Sequence, residues 1–416
     1  MSGLVSALAD ELDARLAQAD ERLERDYPGE AAGRQPVHTV FVPADRYAAD
    51  TLERWQLEAT AVLDRHAATA ADLPEAFGIG AASAGQVHAR LRAKLEREPV
   101  EDLRIDFEDG YGDRGDEEED LAAVTAATAL RHSVKAGEAA PFAGIRFKSF
   151  EAPTRRRGLR TLELFVSTVA DGGRLPDGFL LTLPKVTSVD QVKAMVLVCE
   201  RLERAHELAP GSLRFEIQVE TPQAVLGADG TVLVARMMHA SARRCTGLHF
   251  GTYDYSASCG IAAAYQSMEH PAADHAKAVM QVAAAGTGVR LSDGSTNRLP
   301  VGDRAAVLGA WRLHARLVRR SLERGFYQGW DLHPAQLPSR YVAVFAFYRE
   351  GLPQAAARLR SYLGRSESGF LDEPATARAL ADFLVRAVDC GASDDAEVQE
   401  LSGASPQRLA GLARRV

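Results

Sequence analysis

Residues 103–113 read LRIDFEDGYGD, and residues 115–137 continue GDEEEDLAAVTAATALRHSVKAG. The first stretch is a short apolar run that opens into acids and glycine. The second is rich in Ala and Leu and spaces its apolar residues helically. Together they read as a strand followed by a helix. Such a pair decides a fold when it recurs, because a parallel return needs a crossover of about a dozen or more residues.

It does recur. Strand-like runs stand at 37–42 (VHTVFV), 103–108, 143–148 (AGIRFK), 178–184 (GFLLTLP), 213–220 (LRFEIQVE), 245–251 (CTGLHFG), 287–293 (TGVRLSD) and 326–332 (FYQGWDL). Helical segments lie between most of them, and Ser188 and Asp303 are expected to cap two of these. Eight such units predict an α/β fold, a (β/α)8 TIM barrel. A doubly wound open sheet is the competitor, but FVPADRY follows the first strand where a dinucleotide fold carries its glycine-rich fingerprint.

The flanks define the expected organisation. Residues 1–35 are an amphipathic N-terminal helix with Leu8, Leu12, Leu16 and Leu23 in helical spacing, expected to pack on the body or on a neighbouring subunit. The barrel domain spans 36–340, with a partly helical insert at 47–100, and a helical extension fills 341–416.

Composition narrows the function. The 416 residues hold 49 basic and 57 acidic side chains, a net charge of −8, which argues against a nucleic-acid partner or an anionic membrane surface. Cys199, Cys245, Cys259 and Cys390 show no metal-type spacing, so a reducing, cytoplasmic setting is expected. No apolar run is long enough for a transmembrane helix, and the charged N-terminus does not read as a signal peptide.

In a barrel the working face lies at the carboxyl ends of the strands. Read in order, those ends carry Arg46, Glu108 and Asp109, Arg146 and Lys148, Lys185, Glu220, Asp254, Asp293, and Asp331 with His333. Crowded carboxylates must take protons or find cations. Oxygen-only ligation suits Mg2+ (Mn2+ is the alternative), and Glu220 with Asp254 is the best ligand pair. Arg146 is a natural anion stabiliser. Lys185 either neutralises excess carboxylate charge, binds substrate, or makes a structural ion pair. A lattice of arginine–carboxylate pairs tying the barrel mouth together is the competing reading of the whole cluster.

The same residues resemble the HpcH/HpaI aldolase/citrate lyase family, in its citrate lyase beta-subunit-like and malyl-CoA lyase branch. FVPADR is similar to that family's FVPG(D/N)R, IDFEDG to (L/F)DLED, LPKVTS to (V/L)PKVES, and VETPQAVL to IETAxGV. FGTYDYSASCG resembles FGPxDLSAxLG, GWDLHPAQL resembles GKxxIHPxQI, and GFLDEPATARALADFL resembles GxxIDxPxxxxAxxxL. IRFKS stands in the place of VRVN, and Thr187 where the family has a glutamate.

The resemblance implies Glu220 and Asp254 as Mg2+ ligands. It implies Arg146 as the residue that binds substrate and neutralises an enolate, Glu108 and Asp109 as pocket walls, and Asp372 as catalytic acid/base from the same or a neighbouring subunit. Arg46 and Lys185 complete the expected substrate-binding set. The expected function is a Mg2+-dependent carbon–carbon lyase acting on a 3-hydroxyacyl-CoA such as malyl-CoA or citramalyl-CoA, or on a related hydroxy-dicarboxylate. Its partners are then an oxo-acid or hydroxyacyl-CoA and other copies of the chain, as a trimer or hexamer. Two alternatives are a CoA-independent, pyruvate-dependent aldolase acting on 4-hydroxy-2-keto acids, and a non-catalytic protein that binds metal and a dicarboxylate.

Overall fold

The computed structural model describes residues 3–31, 33–364 and 373–413. Eight short strands form its centre: β1 (Thr39–Pro43), β2 (Asp102–Asp106), β3 (Phe142–Arg146), β4 (Phe179–Leu183), β5 (Phe215–Val219), β6 (Cys245–Phe250), β7 (Arg290–Ser292) and β8 (Trp330–Asp331). Each strand from β1 to β6 pairs in parallel with its successor, and β8 pairs back onto β1. A parallel bridge from Ser292 to Gln328 closes the ring between β7 and the run leading into β8. The architecture is the (β/α)8 barrel expected from the strand–helix repeat.

The crossover helices bury their apolar stripes against the outside of the barrel. The helix Asp116–Ala136 does so through Ala123, Ala126, Ala127 and Leu130. Ser188 caps the helix Val189–Ala205 by accepting from the Gln191 N–H, and Asp303 caps Arg304–Glu323 by accepting from Ala306, so both predicted caps are present.

The 47–100 segment folds into the helices Thr51–His66, Leu73–Phe77 and Ala84–Arg97. It is knitted to the C-terminal helices. Arg349 binds Gln86 at 2.6 Å and Glu397 at 2.6 Å, and Phe77 stacks on Trp311 at 4.7 Å. The N-terminal helix Gly3–Asp26 does not pack along the body: Leu4, Leu8, Leu12, Leu16 and Leu23 are all exposed. No helix among the described residues is long and apolar enough to cross a membrane.

The barrel interior departs from the usual filling of branched aliphatic side chains. Because side chains alternate along a strand, Asp102, Arg104 and Asp106 of β2 share one face, as do Glu216, Gln218 and Glu220 at β5. Arg104 is fully buried. It pairs with Asp102, donates to Glu216 Oε2 at 2.7 Å and to Thr182 Oγ1 at 3.0 Å. A buried guanidinium is tolerable only with such complete pairing. Burial works against ionisation of Glu216, but Arg104 and His249 outweigh it and hold its carboxyl well below the usual range.

His249 occupies the same layer. Trp330 Nε1 donates to its Nδ1 at 3.0 Å, and its Nε2 lies 3.0 Å from Glu216 Oε1. An indole nitrogen only donates, so Nδ1 carries no proton and the ring is the neutral Nε2–H tautomer. That makes His249 a link in the core network.

Candidate active site at the carboxyl ends of the strands

The loop after β2 is folded by its own first acid. Asp106 accepts from the backbone N–H of Glu108 at 3.0 Å and of Gly110 at 2.9 Å. The same carboxylate takes a bidentate pair from Arg146 at the end of β3, Nε to Oδ1 and Nη2 to Oδ2, both at 2.7 Å. Register makes this possible, since Asp106 and Arg146 are partners across the β2–β3 ladder. The guanidinium lies over the ring of Phe41, 4.6 Å from its centre. Arg146 is thus held rigidly, with Nη1 facing Glu108 Oε2 at 3.4 Å.

Lys185 follows β4 in the left-handed conformation, at φ +50°. A non-glycine residue there stores strain, and such strain clusters at functional sites. Its backbone N–H donates to Glu220 Oε1 at 2.7 Å. Its ammonium reaches Glu108 Oε1 at 2.8 Å, Asp254 Oδ2 at 2.9 Å and Asp109 Oδ2 at 3.1 Å. One residue therefore touches four carboxylates, and although burial opposes its charge, those acids hold it protonated.

Glu220 sits just past β5 and is only 2% exposed. Burial is the main cause that pushes its carboxyl up to about 8; Glu108 and Asp254 add to it, while Lys185 and Arg146 oppose it. Room for this side chain depends on Gly251, where a Cβ would lie 2.4 Å from Glu220 Cβ and 2.7 Å from Oε2. Glu108 is also raised, by burial first and by Asp109 second, against the pull of Arg146 and Lys185. Asp109 is lowered, because Lys185 and Arg146 outweigh its burial.

Counting Asp106, Glu108, Asp109, Glu220 and Asp254 against Arg146 and Lys185 gives five acids to two cations, an excess of three negative charges if all ionise. Two buried oxygens here, Glu108 Oε2 and Gln218 Oε1, accept no hydrogen bond. Among the described residues no three His, Cys, Asp or Glu side chains form a ready-made coordination shell, since the acids stand around Lys185.

The structure thus brings together Glu108, Asp109, Arg146, Lys185, Glu220 and Asp254. Arg46 ends the short 3-10 turn Ala44–Arg46 after β1, exposed, and its guanidinium has no hydrogen bond or ion pair among the described residues. Asp372 lies outside the described residues.

Four other charged strand ends do not join the cluster. Lys148 turns back to the carbonyls of Phe107 and Gly112, 2.8 Å from each, and to Glu119. Asp293 is buried against Lys277 at 3.0 Å and Ser321 at 2.6 Å. Asp331 follows the inward Trp330, so alternation points it outward, to His38, His314 and Arg340. His333 accepts from the Ala335 N–H and caps the turn that follows.

Sequence reasoning treated strand tips and missed the polar residues beneath them. Asp106 as the anchor of Arg146, and the layer of Arg104, Glu216 and His249, carried a signal in the period-two spacing of charge along β2 and β5.

A search of curated proteins finds no match to the sequence. Among solved structures the chain is similar to a Haloferax volcanii malate synthase in a magnesium/glyoxylate complex, at 14% identity over 91% of this chain and 97% of that one, with a TM-score of 0.49. It is similar to CitE from Mycobacterium tuberculosis in complex with magnesium, acetoacetate and coenzyme A, at 20% identity over 87% and 99%, TM-score 0.47. A HpcH/HpaI aldolase/citrate lyase family protein from Burkholderia cenocepacia is a further neighbour, at 16% identity over 83% and 99%, TM-score 0.41. The family described as Domain of unknown function (DUF6986) matches residues 16–416, and the chain belongs to that family.

Proposed function

We propose that this protein is a Mg2+-dependent carbon–carbon lyase that cleaves or forms a β-hydroxy acid, with a 3-hydroxyacyl-CoA such as malyl-CoA or citramalyl-CoA as its substrate class. The observation that carries the reading is the meeting of Glu220 and Asp254 on Lys185, one at its backbone N–H and the other at its ammonium, in a cup walled by Glu108, Asp109 and Arg146.

The donor set fits a hard divalent ion. It is all oxygen, it has surplus negative charge, and it contains a buried carboxylate that prefers a proton when no cation compensates it. Glu220 and Asp254 would hold the ion. When bound, Mg2+ (or Mn2+) supplies Lewis-acid polarisation of the substrate's carbonyl or alkoxide oxygen.

The remaining steps belong to the chain's own groups. Arg146 keeps Nη1 directed into the cup because Asp106 takes its other two nitrogens, so it can bind a carboxylate and stabilise charge developing on an enolate oxygen. Lys185 supplies a second fixed cation beside the same position, and Arg46 at the rim a third for an extended anionic substrate. Asp372 is the proposed carrier of the proton at the enolate carbon.

Assays of malyl-CoA and citramalyl-CoA cleavage beside cleavage of a 4-hydroxy-2-keto acid test the reading. Mg2+-dependent thioester cleavage is expected. Cleavage of the keto acid alone would favour the CoA-independent aldolase, and metal binding without turnover of any of them would sink the lyase proposal.

A further inference from the structure

A cavity of about 1180 Å3 opens at the end of the barrel opposite the cup, where β3 to β7 begin. Its position separates it from the cup. Phe179, Arg214 and Cys245 line it at the starts of β4, β5 and β6, whereas Lys185, Glu220 and Asp254 follow the far ends of those strands. One wall is the segment Pro28–Ala31, pinned where the Gly29 N–H donates to the Gly286 carbonyl at 2.9 Å.

The charge of this cavity runs against that of the molecule. Five arginines line it against three acids, in a chain whose net charge is −8. Arg25 is paired with Asp26 at 2.9 Å, and Arg290 donates to the Gly33 carbonyl at 3.0 Å. Arg174, Arg214 and Arg243 have no side-chain hydrogen bond or ion pair among the described residues. Three unpaired guanidiniums around one concavity repel one another. The neighbouring Arg244, by contrast, is buried and paired with Glu203 at 2.6 Å.

The backbone adds an independent sign. Ala242 and Arg243 both line the cavity and both adopt the left-handed region, at φ +53° and +63°. Two consecutive non-glycine residues in that region cost about 1–3 kcal/mol each and persist only where the surroundings hold them. Here the strain sets Arg243 at the cavity wall.

We propose that this amino-terminal cavity is a binding site for a compact organic polyanion, bearing phosphate or carboxylate groups, held by Arg174, Arg214 and Arg243. The guanidinium fork matches both anions. The volume is somewhat above the ~300–1,000 Å3 of typical small-molecule sites, enough for a molecule of nucleotide size. The negative charge of the rest of the chain disfavours a nucleic acid.

Calorimetric titration of the full-length protein in EDTA, with pyrophosphate, ATP and citrate as separate probes, tests this. At least one probe is expected to bind at a single site with submillimolar affinity. Preference for ATP, pyrophosphate or citrate distinguishes a nucleotide, a bare phosphate and a carboxylate ligand. The exposed triple variant R174A/R214A/R243A should weaken binding by about tenfold or more, with an unchanged circular dichroism spectrum, and the single charge reversal R214E should weaken it too. Lys185→Met should leave it intact. No binding by any probe up to about 10 mM, equal affinity in the triple variant, or loss in the Lys185 variant would overturn the proposal.

Discussion

Lys185 and Glu220 are joined through the backbone: the Lys185 N–H donates to Glu220 Oε1 at 2.7 Å, and the left-handed turn at Lys185 sends its ammonium on to Asp254, Glu108 and Asp109. The ammonium therefore neutralises acids from two strand ends, those of β2 and β6, that would otherwise repel. Lys185→Met should lower the stability of the metal-free protein by about 1–3 kcal/mol at pH 8, and by less near pH 6, where the raised Glu108 and Glu220 take protons more readily. Urea midpoints at the two pH values measure this. An equal loss at both would show that the ammonium does not serve as their counter-charge.

The pH dependence of metal affinity follows from Glu220. Its folded value of about 8 lies above the ordinary 4.5, so the neutral form stabilises the metal-free fold. That contribution is full below pH 4.5 and is lost as pH rises through about 8. An ion at Glu220 must displace the proton. Apparent Mg2+ affinity should therefore climb up to about tenfold per pH unit toward pH 8 and level off above it, releasing close to one proton per ion. Calorimetry in buffers of differing ionisation enthalpy reads that proton directly.

Gly251 keeps the space that Glu220 occupies. Gly251→Ala puts a methyl group 2.4 Å from Glu220 Cβ, and overpacking of this kind costs about 1–3 kcal/mol. The expected result is a folded protein whose metal affinity and turnover both fall by about tenfold or more. Unchanged affinity would mean that Glu220 is free to move.

Removing Asp106 strands a buried cation. Asp106→Asn deletes the bidentate partner of Arg146 and loosens the two backbone N–H groups that fold the β2 loop. Breaking a buried pair from one side costs about 3–5 kcal/mol. The loss should appear in the denaturant midpoint, with turnover falling as Arg146 loses its orientation.

Asp372→Asn tests the proton carrier. Turnover should drop by at least about 10²-fold, the usual range for a general acid or base, while Mg2+ and oxo-acid binding stay near wild type. Full activity would remove Asp372 from the mechanism.

Much of this is legible in the sequence, for physical reasons. The eight strands announce themselves because each is a short apolar or β-branched run followed by an amphipathic crossover, and a parallel sheet closed by such units has few topologies open to it. Glu108, Arg146, Lys185 and Glu220 stand out because they end runs that are otherwise buried. Less legible is anything that depends on direction. Asp331 and Asp293 also end strands, but β8 has two residues and β7 three, too few for alternation to show which way a side chain turns. Arg104 and Glu216 lie inside strands read as apolar, and their pairing across the barrel joins residues 112 positions apart. The exposed leucines of Gly3–Asp26 pattern like a packed helix, and the sequence carries no sign that they find no place on the body.

The central claim is tested most directly by counting Mn2+ ions bound to the purified chain by electron paramagnetic resonance, with Mg2+ as competitor. The account predicts one ion per chain, displaced by Mg2+, and none in the double variant E220Q/D254N. Stoichiometric binding that survives in that variant, or no binding to the unaltered protein at millimolar Mn2+, would contradict it.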